Sequence, residues 1–443
     1  MKKVLSRMLY VLFFGFVLTI LISCTLLIIN SIGETKHNNI SAVLIDSGEN
    51  SSVYKQVDEI SAVEQNSSDG EVNHYGYVTL TTAHERLLYT RIGQSVHNIS
   101  KEKDENGHFS TERIRISGEH MTEESIRHSL NAYLSDNPQV FWLENLFGYA
   151  YADDDTIVEC YSVMSAEECS EKVGILSDRI DSILDNIKVS MTPYDCEKYI
   201  HDTILSSCSY KEGVTSMADG WQYFSVYGAV VEGEAVCEGY AKSMQLLLNM
   251  AGVPCYTIRG TADGVEHLWN VVNVRDDWYH LDPTWDDSDD NLNYEYFNVT
   301  TAEISKNHII APGMVYMSET NAEQTESRNF FVPDCTSTIM NYYHIEGFKL
   351  TGFSAEENEQ MIGFLVRRAE KGDSYIPVCI SESLDYNECV EKLFYSFPYK
   401  FYYYIDAANE RLSGNQKIDR NSIKILKNEE NMTLRIKLNY IDR

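Results

Sequence analysis

The sequence predicts an α+β protein. A helix packs on an antiparallel sheet, smaller α+β regions flank this core on both sides, and a transmembrane helix precedes it. Three observations lead there. Tyr240, Met244, Leu247, Leu248 and Ala251 recur at helical spacing. Two alternating runs, HLWNVVNV from His267 and WYHLDPTW from Trp278, are joined by a short turn and read as a hairpin. Near the amino terminus, Met8 to Ile29 is an apolar run broken only by Thr19, Ser23 and Thr25. As a helix it spans roughly 33 Å, enough for a bilayer core.

In chain order, residues 1–30 read as a membrane anchor or signal. Lys2, Lys3 and Arg7 precede the apolar run, so the positive-inside rule keeps them in the cytosol and puts the rest of the chain outside. Two alternatives export the chain equally well. Leu21-Ile22-Ser23-Cys24 resembles a lipobox, which would make this a lipoprotein attached at Cys24, and a cleaved signal would make it secreted. Residues 31–74, rich in Asn, Ser, Glu and Asp, read as a flexible linker.

Residues 75–190 read as an N-terminal α+β region. YGYVTL has strand chemistry. HMTEESIRHSLNAYLSDNP has helix chemistry, with Thr122 as N-cap and Asn137-Pro138 as a stop. FWLENLFGYAYA and TIVECYSVM read as paired strands, and a long helix runs through SAEECSEKVGILSDRIDSILDNI. Residues 191–312 form the core, which a second helix opens from Tyr194. Residues 313–335 are a polar connector. Residues 336–443 alternate strands and helices in a βαβαβ-like order, with KFYYYID among the strands.

Bulk composition narrows function. The chain has 443 residues and a formal charge of −31, with 43% hydrophobic and 12% aromatic residues. That charge argues against nucleic acid and against an anionic lipid surface, both of which call for clustered Lys and Arg. None of the ten cysteines forms a CxxC pair or a zinc-ligand spacing, so no metal or cofactor is expected. Asp286, Asp287, Asp289 and Asp290 form an acidic loop. It lacks the Gly and Glu of an EF-hand and reads as solvated.

The chemistry concentrates between Gly233 and Trp285. Cys237 falls in or just before the first turn of the central helix, where free N–H groups and the positive end of the dipole favour a thiolate. Gly239 leaves room there for a substrate to approach. With a two-residue loop at Arg275-Asp276, Val274 pairs with Asp277. Asp282 then lies opposite Trp269 and His267 opposite Thr284, so His267 and Asp282 become diagonal neighbours on one face. Singly, these residues have ordinary readings: a packed cysteine, a strand histidine, an aspartate before a turn. Together they supply a nucleophile, its base and the group that orients the base.

GEAVCEGYAKSM…GVPC, H-x-W-N and LDPTW resemble the transglutaminase-like superfamily, whose fold is of the papain-like cysteine-hydrolase type. SDNPQVFWL and EYFNVTTAEISKNH are also similar to bacterial, membrane-anchored or lipoprotein members. The resemblance implies catalytic Cys237, His267 and Asp282, with Trp269 and Trp285 as supporting residues. It implies cleavage or transfer of peptide or isopeptide bonds through a thioester, on a protein or peptide substrate that is cell-wall associated in one version. The alternative is a catalytically silent surface module that binds or scaffolds and keeps the fold. Gln222 and Tyr227 remain open as the second oxyanion donor beside the Cys237 N–H.

Overall fold

The computed structural model describes residues 74–104, 107–217, 220–287, 292–311, 315–317 and 331–442. The anchor at 1–30 and the linker up to residue 73 lie outside the described residues. Among the described residues, no helix is long and apolar enough to cross a membrane.

In the N-terminal region, α1 (Ala83–Ser95) and α2 (Glu123–Asp136) pack together against a four-stranded antiparallel sheet. Its strands are β1 (Phe109–Ser110), β2 (Ile114–Ile116), β3 (Leu143–Ala152) and β4 (Asp155–Ser162), and β4 pairs with each of the others. The Thr122 hydroxyl accepts the Ser125 N–H at 3.2 Å and starts α2. YGYVTL does not form a strand. The Asp136 carboxylate takes the N–H groups of Gly76 at 2.6 Å and Tyr77 at 2.8 Å, and Tyr77–Thr79 becomes a 3-10 turn.

Two helices lead into the core, α3 (Ala166–Leu184) and α4 (Pro193–Ser207). Thr192 and Asp195 cap α4 reciprocally, with Pro193 at the first helical position. The short strands β5 (Ser209–Tyr210) and β6 (Glu234–Ala235) pair in parallel, and α5 (Cys237–Met250) follows directly. The central sheet holds β7 (Cys255–Ala262), β8 (Val265–Val274), β9 (Asp277–Leu281) and β10 (His308–Ile310), in the antiparallel order β10-β7-β8-β9.

Helix α5 packs on β7 and β8. Tyr240, Ala241, Met244, Leu247 and Leu248 on this helix are buried. A separate cluster, including Tyr256, Ile258, Trp269, Val271 and Ile304, fills another part of the sheet region. The β8 interior is therefore almost wholly buried, which blurs the alternation expected of a one-sided strand. Short helices α6 (Pro283–Asp286) and α7 (Thr301–Ile304) edge the sheet, and β11 (Val315–Met317) pairs in parallel with β12 (Phe331–Pro333).

The hairpin turn falls at Arg275 and Asp276, both at positive φ, as a two-residue type I′ connection needs. Val274 pairs with Asp277 and Asn270 with Leu281, and there the ladder ends. The expected pairings of Trp269 with Asp282 and of His267 with Thr284 do not form. Pro283 starts α6, and Asp282 becomes its N-cap.

The C-terminal region has its own core. It comprises α8 (Tyr342–Ile345), β13 (Phe348–Leu350), α9 (Ala355–Lys371), β14 (Tyr375–Ile380), α10 (Tyr386–Val390), α11 (Lys400–Arg411), β15 (Gln416–Ile418), β16 (Lys424–Asn428), β17 (Thr433–Lys437) and β18 (Tyr440–Asp442). The main sheet runs β13-β14-β17-β16. KFYYYID opens helix α11 and is not a strand. Phe401, Tyr404, Ile405 and Ala408 are its buried positions, a helical stripe that outweighs the strand propensity of three tyrosines. Glu295 ties this region to the core by accepting from Tyr343, from Asn428 at 2.9 Å and from Thr433 at 3.1 Å.

Candidate active site

Cys237 is the first residue of α5 and is only partly buried. As the first helical residue it has no partner for its N–H within the helix, and that group faces the start of the dipole. The approach to Cys237 is shaped by close backbone contacts. Gly233 sits at φ +74°, where a side chain would meet the Ser207 carbonyl oxygen at 2.8 Å. Val236 donates its N–H to Tyr223 at 2.9 Å. Gly239 packs on this same turn, where a Cβ would lie 2.9 Å from the Tyr223 oxygen and 3.0 Å from that of Ser225. Its space is therefore filled by protein, so the role expected for it in substrate approach gives way to packing.

His267 on β8 donates from Nε2 to Asp282 Oδ2 at 2.7 Å. Cys237 lies close enough to the same ring to favour its charged form. Burial disfavours a charged ring, but the Asp282 charge and hydrogen bond, helped by Cys237, override it and raise His267 to about 10. Burial also works against charge on Asp282. The His267 charge and hydrogen bond, followed by the contributions of His308, win and hold that carboxyl well below the usual range. The three residues singled out in the sequence thus meet, although the His267–Asp282 contact arises past the end of the ladder.

Asp282 is completely buried and accepts four hydrogen bonds. Its Oδ1 takes the N–H groups of Thr284 at 3.0 Å and Trp285 at 3.2 Å, at the start of α6. Its Oδ2 takes His267 and also His308 Nε2, at 2.9 Å. Sequence reasoning quoted the block ending in His308 but gave that residue no role. Its only signal was position, at the start of a short apolar run that becomes a strand.

His267, Asp282 and His308 offer ligand atoms within 4.8 Å of one another, which raises the question of a metal. The donor set does not fit one. Both Nε2 atoms point N–H groups at a single carboxylate oxygen, at hydrogen-bond distances. A divalent ion such as zinc needs bare nitrogens at about 2.0–2.2 Å.

Trp269 and Trp285 both border this cluster. Trp269 stacks near His267 and donates from Nε1 to His280 Nδ1 at 3.2 Å, while Trp285 lies 4.8 Å from the His308 ring. Trp269 is fully buried and serves packing. Of the two open oxyanion candidates, Tyr227 is buried in an aromatic group with Phe141 and Trp221, beneath Lys172. Gln222 lies in the 3-10 turn Trp221–Phe224, whose Tyr223 carbonyl anchors the residue before Cys237.

Two further residues escaped the sequence reading. Asp286, taken as part of a solvated acidic loop, is fully buried. It accepts the Tyr296 N–H at 2.9 Å and faces His201 Nε2 at 3.3 Å. Burial pushes its carboxyl up, and nearby Asp282 adds to that. Residues 288–291 of that loop lie outside the described residues. Tyr210 on β5 is 47% exposed, yet its phenol is raised to about 12 by burial and by the charges of Cys237, Glu212 and Asp282.

Residues 181–283 match the model of the transglutaminase-like superfamily. No curated protein matches the chain. Three solved structures align with part of it. One is a TGase, 13% identical over 50% of this chain and 62% of its own, with a TM-score of 0.26. The second is a proposed cysteine protease from Cytophaga hutchinsonii, 11% identical over 35% and 55%, with a TM-score of 0.22. The third is a proposed protease from Parabacteroides distasonis, 11% identical over 68% and 62%, with a TM-score of 0.20. The chain spans less than two thirds of the length of each. The stretch from 181 to 283, which contains Cys237, His267 and Asp282, is the part of this chain that matches the transglutaminase-like superfamily.

Proposed function

We propose that this chain is a cysteine hydrolase or acyltransferase acting on amide bonds, with Cys237 as nucleophile, His267 as base and acid, and Asp282 as orienter. The observation that carries the reading is one imidazole hydrogen-bonded to a buried carboxylate and close to a thiol at a helix start, with both favouring its charged form. His267, held in its charged form by Asp282, stands beside the Cys237 sulfur as its proton partner.

The thiolate attacks the carbonyl carbon of a peptide or isopeptide bond. The Cys237 N–H supports the developing oxyanion, with Gln222 the better placed of the two second-donor candidates. His267 gives its proton to the leaving amine, and a thioester forms. Water, deprotonated by His267, then releases the acid, whereas an incoming amine completes an acyl transfer. Tyr210, half exposed and near Cys237 and Asp282, is suited to contact the substrate chain. We further propose that the domain works outside the cytoplasm, tethered by residues 1–30, on protein or peptide substrates.

The test is alkylation of Cys237 by iodoacetamide across pH, combined with a panel of peptide and cell-wall amide substrates. Rapid alkylation at neutral pH, abolished by His267→Ala, is expected together with turnover of at least one amide. Ordinary thiol behaviour that ignores His267→Ala would return the chain to the alternative of a silent binding module.

A further inference from the structure

We propose that His308 is a positioning residue for this site, fixing the Asp282 carboxylate so that one oxygen is presented to His267. The inference rests on the triad reading above and adds a fourth member to it. A carboxylate held at a single oxygen can still turn about its Cβ–Cγ bond. Here Oδ1 is held by the Thr284 and Trp285 N–H groups and Oδ2 by His308 Nε2. Two anchors define the carboxylate plane, and His267 meets an oxygen whose place is already set.

His308 is itself locked. Its Nδ1 lies 2.6 Å from Asn307 Oδ1, and Asn307 Nδ2 lies 2.6 Å from the Tyr296 hydroxyl. The Trp285 and Trp269 rings lie 4.8 and 5.1 Å from it. Its strand is pinned by the pairing of His308 with Ala262 on β7. The residue is 2% exposed, so it reaches no substrate and acts only through Asp282. The ionisable groups around it are Asp282, His267, His280 and Tyr296, with Asp286 beyond Asp282. Among the described residues, only Asp282 is hydrogen-bonded to its Nε2.

The test compares His308→Gln with His308→Met in the full chain. Both fill similar space, and only Gln can donate an N–H. The readout is the pH dependence of Cys237 alkylation, with folding followed by circular dichroism. We expect Gln to keep the wild-type profile. Met should slow alkylation at neutral pH by roughly ten-fold, with the fold retained. Equal behaviour of the two variants, whether both normal or both impaired, overturns the proposal. His267→Ala is the control: if it leaves the wild-type profile unchanged, the triad reading itself has failed. The unsubstituted chain gives a separate reading. With nitrogen-labelled histidine, His308 should show an exchange-protected proton on Nε2, and an Nε2 without that proton overturns the assignment whatever the variants do.

Discussion

Gly260 sits directly across the β7–β8 ladder from His267, and no larger residue fits there. A Cβ at that position would collide with the Ile309 carbonyl oxygen on β10 and would lie 2.9 Å from the Trp269 ring. The missing side chain lets β10 close on β7, and β10 carries His308. Gly260→Ala should therefore cost about 3 kcal/mol of stability, from overpacking between two rigid strands. It should also slow Cys237 alkylation, because His308 would be displaced with its strand. Urea unfolding with the alkylation rate on the same sample checks both, and an unchanged midpoint would mean that β10 is not held this tightly.

Removing the nucleophile should separate chemistry from folding. Cys237 is only partly buried at the helix start, so Cys237→Ala loses few packing contacts. We expect thermal stability to change little while amide turnover falls by roughly 10⁴-fold or more, the scale seen when a covalent nucleophile is lost. Turnover that survives in Cys237→Ala would place the chemistry elsewhere.

The pH profile has a worked-out sign. His267 rises from 6.5 to about 10 because the Asp282 charge outweighs burial. The imidazolium therefore persists through neutrality, and the alkaline limb of kcat/KM should fall near 10. For stability, a raised base contributes fully below its unfolded value of 6.5 and loses that contribution as pH climbs through about 10. Asp282 is the mirror case: its contribution is present above 3.8 and is lost as pH falls toward its lowered folded value. Asp282→Asn should bring the alkaline limb down by more than one unit, measured as kcat/KM against pH.

The site was legible where residue type and local spacing carried the information. A helix stop at Gly252-Pro254 and a two-residue turn at Arg275-Asp276 fix the frame for Cys237 and His267. What the pattern could not carry was contact set by tertiary closure. His308 reaches Asp282 only because β10 adds to the far edge of the sheet, and nothing periodic in the sequence announces a three-residue strand. Asp286 looked solvated among its acidic neighbours, and a partner 85 residues earlier, His201, is what allows its burial. Tyr77 and Tyr402 lie in segments whose strand propensity was overridden, one by a carboxylate cap and the other by a buried helical stripe.

Glu197 on α4 gives a prediction that is independent of catalysis. Its side chain is fully buried; one oxygen accepts the Asn298 Nδ2–H at 2.8 Å, and the other has no partner among the described residues. Burial pushes its carboxyl up from 4.5 to about 8, against the opposing pull of the Asn298 hydrogen bond and His201. Between those two values the folded chain holds a proton that the unfolded chain has released, so stability falls as pH rises across the window. The loss should total roughly 3–5 kcal/mol by pH 8, at about 1.4 kcal/mol per unit. Glu197→Gln keeps the shape and the acceptor but cannot ionise. It should remove this slope and leave the variant more stable than the parent at pH 8, with little difference at pH 5. His201 also titrates near this range but is common to both proteins, so their difference isolates Glu197. Urea midpoints at three pH values decide the matter: parallel curves for parent and variant would show that Glu197 is ionised in the fold.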